Sequence, residues 1–341
     1  MRDMREWAVY SIPMPIRFRG ITRRQGMLIR GEAGWGEWSP FLEYGPDEAA
    51  VWLRAALEAA DEGYPDPVRS FIPVNATIPA VDPATARQLA DQSGCATAKV
   101  KVAEAGQRLE DDISRVEAVR DGLGPGGRIR VDANGGWDLD QAVRAVRALS
   151  RFGLEYVEQP CADVEDLARL RRRVDVPIAA DESIRRAEDP YLVKKLEAAD
   201  VAVLKAQPLG GVRPCLRLAE ELGMDVVVSS AVETSVGLRA GIALAAALPS
   251  LPYACGLNTL PLLGADLVSD PLVCVGGEIA VGPIHVDLPL PADARADEQT
   301  TAFWLARLAG TGSLVIEPSR RGVAPGAGSP RPTESEEARH G

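Results

Sequence analysis

From about residue 71 the chain alternates between short apolar runs and longer stretches whose apolar residues recur every three or four positions. FIPVNATI, TAKVKVA, RIRVDAN, LEYVEQP, VPIAADES, DVAVLKAQ, MDVVVSSA and LPYACGL are strand-length runs. Between them DPATARQLADQSG, QRLEDDISRVEAVRDGLG, DLDQAVRAVRALSRFG, DVEDLARLRRRV, EDPYLVKKLEAA, GVRPCLRLAEELG and TSVGLRAGIALAAALP carry the helical period. Eight apolar runs separated by helices predict an α/β fold, a parallel (β/α)8 TIM-like barrel whose last unit is modified, because loops and short strands such as GGEIAVGPIHVDL follow CGLNTLPLLGADLV.

The first ninety residues follow a different pattern. REWAVYSIP and QGMLIRGEAGWGEW read as two strands joined by the basic segment MPIRFRGITRR, and PDEAAVWLRAALEAADEG reads as a helix. Strands followed by a helix in blocks predict a small α+β domain. The expected organisation is a capping domain over 1–90, the barrel over 91–260 with its first strand near 71–78, a segment 261–316 that returns to the cap, and a disordered tail over 317–341. That tail is rich in Pro, Gly and charge and has no apolar period.

Charge and composition narrow the partners. A net charge of −11 argues against a nucleic-acid binder or a polybasic membrane-surface protein. Neither a signal-type apolar segment nor a run of ~20 apolar residues is present, so a cytoplasmic protein without membrane insertion is expected. The five cysteines are widely spaced with no CxxC pair, as buried thiols in a reducing compartment would be.

The segment ATAKVKVAEAG places Lys99 and Lys101 two residues apart on a strand, so both ammonium groups point to one face. Alone, the pair fits a solvated edge strand. The ends of the following strands carry Asp132 and Asn134, Glu158, Asp181 and Glu182, and Lys205. The steps from Lys101 to Asp132, Glu158, Asp181 and Lys205 are 31, 26, 23 and 24 residues, about one β/α unit each, which sends all these side chains to one mouth. Three carboxylates form an oxygen-rich pocket suited to Mg²⁺, with Mn²⁺ as a substitute. Lysines flank it on both sides in strand order, the arrangement of a site that abstracts a proton beside a carboxylate. Lys99 and the metal supply the like charge that helps Lys101 act as a base near neutral pH.

KVK, VDANGGW, VEQP, ADES and LKAQPLGG, in this order and spacing, resemble the enolase superfamily, in its muconate-cycloisomerase-like subgroup, and GWGEWSP in the cap extends the likeness. The resemblance implies Asp132, Glu158 and Asp181 as Mg²⁺ ligands, Lys101 and Lys205 as the acid/base pair, Lys99 as electrostatic support, and Asn134 and Glu182 as neighbouring groups. The mandelate-racemase branch, which uses a His–Asp pair, does not fit, since the only histidines are His285 and His340, neither on a barrel strand. SSAVETSVGLRAGIALAAALP followed by CGLNTL is similar to the o-succinylbenzoate synthases of menaquinone biosynthesis, although Thr234 stands where serine is usual. That likeness implies a lyase that dehydrates 2-succinyl-6-hydroxy-2,4-cyclohexadiene-1-carboxylate by syn elimination through an enediolate, with Ser229 and the Gly256 backbone holding the succinyl tail. In this family the loop PIRFRGITRR covers the mouth, where Arg17, Arg19, Arg23 or Arg24 meets a substrate carboxylate, Arg19 being the one singled out. An N-succinylamino acid racemase or dipeptide epimerase would use the same lysine pair and stays open at this point.

Overall fold

The computed structural model describes residues 5–186 and 190–316. The expected disordered tail, 317–341, lies outside the described residues. The chain begins with an antiparallel sheet of β1 (Trp7–Phe18), β2 (Ile21–Arg30) and β3 (Trp35–Trp38), followed by α1 (Pro46–Leu57) and a π-type turn at Glu58–Glu62. The basic segment expected to join two strands is itself mostly strand. β1 and β2 run to Phe18↔Ile21, leaving only Arg19 and Gly20, both at positive φ, as the turn. QGMLIRGEAGWGEW divides in turn into β2 and β3. Gly26 lies opposite Tyr10, and a Cβ there would sit 2.6 Å from the tyrosine oxygen, so this register needs glycine.

The barrel follows as β4 (Phe71–Ile78), α2 (Pro83–Gln92), β5 (Thr97–Lys101), α3 (Leu109–Leu123), β6 (Arg128–Asp132), α4 (Leu139–Leu149), β7 (Leu154–Glu158), α5 (Val164–Arg171), β8 (Ile178–Ala180), α6 (Glu182–Arg185), α7 (Leu192–Lys195), β9 (Val201–Leu204), α8 (Val212–Leu222), β10 (Asp225–Val228), α9 (Ser235–Ala247) and β11 (Cys255–Asn258). Among the described residues these eight strands lie in the order β10-β9-β8-β7-β6-β5-β4-β11, all parallel, and a bridge from Ser229 to Gly256 joins the two ends. Strands covered on both faces need no alternation, hence the unbroken buried runs such as VAVL in β9. α4 shows how such a unit starts: Asp138 accepts the Gln141 backbone N–H while the Gln141 side chain accepts that of Asp138.

The chain after β11 has two destinations. β12 (Glu278–Ala280) pairs antiparallel with the barrel's β4 instead of joining the cap. α10 (Glu298–Ile316) packs along α1 and buries Trp304 edge-on against Trp38, with ring centres 5.3 Å apart. Leu262, Leu267 and Leu290 pack in one cluster with Tyr10, Ile12 and Leu28 of the cap sheet.

Candidate active site

Strand register builds the site. Lys101 pairs with Asp132 and Asp132 with Glu158, so three strand ends present their side chains at one level. Asp181 follows β8 as the residue that opens α6, where VPIAADES was expected to continue as strand, and Lys205 follows β9. β5 and β9 stand four strands apart in the closed order, which sets Lys101 and Lys205 on opposite sides.

Each candidate metal ligand is engaged by a cation. Lys99 Nζ lies 2.7 and 2.9 Å from the two oxygens of Glu158 and 3.3 Å from Asp132 Oδ2. Lys101 Nζ donates to Asp132 Oδ2 at 2.6 Å and to the amide oxygen of Asn134. Lys205 Nζ donates to Asp181 Oδ2 at 2.6 Å, while Arg185 Nε reaches the other oxygen at 2.9 Å. All three carboxylates are buried. Among the described residues no three such groups are gathered as a preformed metal cage.

Charge balance sets the ionisation. Burial, and then the negative charge of Asp132, push Glu158 up to about 7 against the pull of Lys99. Burial alone would depress Lys99, but Glu158 and Asp132 outweigh it and hold the ammonium above its ordinary value. Asp132 is driven the other way: the cost of burial is overcome by Lys101 and Lys99, which keep its carboxyl well below the usual range. For Asp181, Arg185 and then Lys205 do the same. The donor set is all oxygen, without thiolate or imidazole, and buried Glu182 Oε2 next to it has no hydrogen-bond donor among the described residues. That chemistry fits a hard divalent cation such as Mg²⁺.

The remaining expected residues fall around this centre. Phe18, Arg19, Asn134, Ser229 and Gly256 line one cavity together with Lys99, Lys101, Asp132 and Lys205, and it holds only about 40 Å³. The Ser229 hydroxyl donates to the Gly256 carbonyl at 3.4 Å, and a Cβ at Gly256 would lie 2.5 Å from that hydroxyl oxygen. Arg19 stacks on Phe41 with its guanidinium 4.1 Å from the ring centre and donates to the Tyr44 hydroxyl. Glu182 is bound by Asn134 and Arg185. Of the other arginines, Arg23 turns to Ser11, and Arg24 is buried against the backbone of Ala231 and Val232. Thr234 caps α9 and also donates to Glu37.

Arg185 and Tyr44 were not foreseen. Arg185 binds Asp181, Glu182 and the Tyr44 hydroxyl, and so ties the metal-ligand candidates to the cap. The i,i+4 spacing of Asp181 and Arg185 was the available signal. Nothing in the local sequence marked Tyr44.

Comparison with known proteins agrees with this geometry. Residues 82–284 match the family described as enolase C-terminal domain-like, and residues 9–60 match enolase N-terminal domain-like. The o-succinylbenzoate synthase of Thermobifida fusca is 64% identical over 88% of this chain and 94% of its own length. That of Mycolicibacterium smegmatis is 52% identical over 90% and 95%. Among solved structures, the L-Ala-D/L-Glu epimerase from Bacillus subtilis superposes with a TM-score of 0.71 at 23% identity, covering 86% of this chain and 99% of that one. The muconate lactonizing enzyme from Pseudomonas fluorescens gives 0.71 at 23% identity, over 88% and 98%. At that identity both likenesses concern the fold.

Proposed function

Because the chain belongs to the enolase superfamily and, within it, to the o-succinylbenzoate synthases, we propose that Lys101 is the base that takes the proton beside the ring carboxylate of 2-succinyl-6-hydroxy-2,4-cyclohexadiene-1-carboxylate, the dehydration of which gives 2-succinylbenzoate. The placement of Lys101 and Lys205 on opposite sides of three buried carboxylates carries the assignment.

Asp132, Glu158 and Asp181 would hold Mg²⁺. A divalent ion there supplies the positive charge that stabilises the substrate carboxylate as its α-proton leaves. Lys101 acts in its neutral form, reaching the substrate from the β5 side. Lys205, held as a cation by Asp181, faces the opposite side of the ring and offsets the growing negative charge. Lys99 stays an ammonium between Glu158 and Asp132 and adds fixed positive charge two residues from the base. The hydroxyl leaves on the face from which the proton was taken, so Lys101 hands that proton on and water departs. Ser229 and the Gly256 backbone would accommodate the succinyl arm, with Asn134 and Arg19 completing the wall.

Racemisation of N-succinylamino acids needs both lysines to exchange protons with the substrate, whereas dehydration needs only Lys101. The curated relatives at 50 to 64% identity share the name o-succinylbenzoate synthase, which does not favour the racemase. The test is turnover of the cyclohexadiene carboxylate by the purified chain with Mg²⁺, beside Lys101→Ala and an N-succinylamino acid in D₂O. Dehydration that falls at least ~10²-fold in the variant is expected. Lys101-dependent α-deuterium exchange without dehydration would replace the proposal by the racemase.

A further inference from the structure

Val232 sits in the left-handed region at φ 63, where a β-branched residue is an outlier, and it lines the active-site cavity. It belongs to the turn between β10 and α9, whose residues Ser229, Ser230, Ala231 and Val232 all face the lysines and Asp132. Inside the turn the Ser230 hydroxyl accepts the Val232 N–H at 3.1 Å and Glu233 accepts the Ala231 N–H at 2.7 Å, and the cap supplies the bonds to the carbonyls of Ala231 and Val232. Arg24 on β2 is 2% exposed, and its Nε donates to the Val232 carbonyl at 2.9 Å. Its second arm reaches the Ser39 carbonyl at 2.6 Å, the Ser39 hydroxyl at 2.8 Å and the Ala231 carbonyl at 3.4 Å. Ser39 donates onward to Glu37, which accepts the backbone N–H groups of Thr234 and Gly237 at 3.2 and 3.0 Å. Two cap strands thus grip the turn, Arg24 by its carbonyls and Glu37 by the amides at the start of α9.

Arg24 makes its hydrogen bonds to carbonyls and a hydroxyl, its charge acts on buried Glu233 without a direct ion pair among the described residues, and its guanidinium lies 4.7 Å from the Phe41 ring centre. A buried cation spent on peptide carbonyls is costly unless the geometry it enforces matters. We propose that Arg24 is a positioning residue, a latch that holds Val232 in its left-handed conformation and so fixes the Ser229–Val232 wall against the succinyl arm of the substrate. The substrate part rests on the function assigned above. The latch itself rests only on the hydrogen bonds and the backbone angle.

Glycine at 232 adopts the same φ without steric cost, so it makes the latch dispensable. Alanine removes the side chain but keeps most of the strain. Arg24→Met should raise KM for the cyclohexadiene carboxylate about 5- to 30-fold with kcat changed less, equivalent to about 1–2 kcal/mol at 1.4 kcal/mol per decade, the cost of left-handed backbone for an L-residue. Adding Val232→Gly to Arg24→Met should recover most of that loss, and adding Val232→Ala should not. Amide hydrogen exchange at 232–237 supplies a reading that needs no substrate. It should quicken in Arg24→Met and slow again only with glycine. If Arg24→Met folds poorly, Arg24→Lys, which keeps the charge but not the fork, takes its place in the same series. Equal effects of glycine and alanine, or an unchanged KM and exchange pattern in the Arg24 variant, overturn the latch. A wild-type chain that does not dehydrate the substrate defeats the assigned function instead, and the exchange series still decides the latch.

Discussion

At the scale of single residues, the groups legible in the sequence are those whose chemistry and chain position coincide. Lys101, Asp132 and Glu158 close their strands, Asp181 and Lys205 follow theirs directly, and Lys99 stands two residues inside β5, so strand register brings most of them to one level. Residues that act by reaching across the chain were missed, as Tyr44 was, or given the wrong partner, as Arg24 was, since their contacts lie 141 and 208 positions away. Glu233 acts locally instead, buried with its carboxylate on the Ala231 N–H two residues back. Burial and then Glu37 raise its pKa above the ordinary 4.5. Its ionised form is therefore the one the fold disfavours, so the stability it lends is complete below about 4.5 and is lost as pH rises through the elevated folded value. Glu233→Gln removes that loss. Urea midpoints of wild type and variant should diverge in the variant's favour as pH is raised from 4.5 towards 8, and a constant difference across that range would count against the assignment.

At the scale of elements, period and capping located strands and helices, and the errors have local causes. MPIRFRGITRR looked like a connection because its charges mask an alternation that pairs Pro13 with Arg23 and Phe18 with Ile21. The first two residues of EDPYLVKKLEAA lie outside the described residues, and of the rest only Leu192–Lys195 is helix, while LPYACGL keeps only its second half in β11. Apart from the expected return of 261–316 to the cap, which element docks on which was not visible. Glu58, at the end of α1, accepts the backbone N–H groups of Val212 and Arg213 at 2.6 and 3.0 Å, so a cap carboxylate sits on the N-terminus of barrel helix α8. Glu37 does the same for α9. Two helix ends are thereby satisfied from another domain. Glu58→Gln keeps the shape and loses the charge, and should cost about 1–2 kcal/mol in urea unfolding. An undiminished midpoint would mean the helix end is served as well by an amide.

At the scale of the whole molecule, cap and barrel meet over a cavity of about 40 Å³, far below the roughly 300 Å³ at which small-molecule pockets begin. A second cavity of about 140 Å³ adjoins it at Arg17, Phe18, Gly20 and Lys101, and entry of the substrate is expected to need a movement of the cap there. The Arg19–Gly20 turn is the element placed to move. It overhangs Lys101 through Phe18, whose ring centre is 5.4 Å from the lysine nitrogen, and Arg19 holds it down through Phe41 and Tyr44. The Tyr44 hydroxyl accepts from both Arg19 and Arg185 at 2.9 and 3.0 Å, and Arg185 in turn grips Asp181. Closing the turn and ordering a metal-ligand candidate are therefore one event mechanically. Tyr44→Phe removes the shared acceptor while leaving the ring in its aromatic cluster with Phe41 and Trp52. The turn should then open more often, and trypsin, which cleaves after arginine, should cut at Arg19 several-fold faster than in wild type. Product and Mg²⁺ together should slow the cut in both proteins. If Tyr44→Phe is cleaved at the wild-type rate, the Arg19–Tyr44–Arg185 chain does not govern closure, and the stacking of Arg19 on Phe41 alone would have to hold the turn.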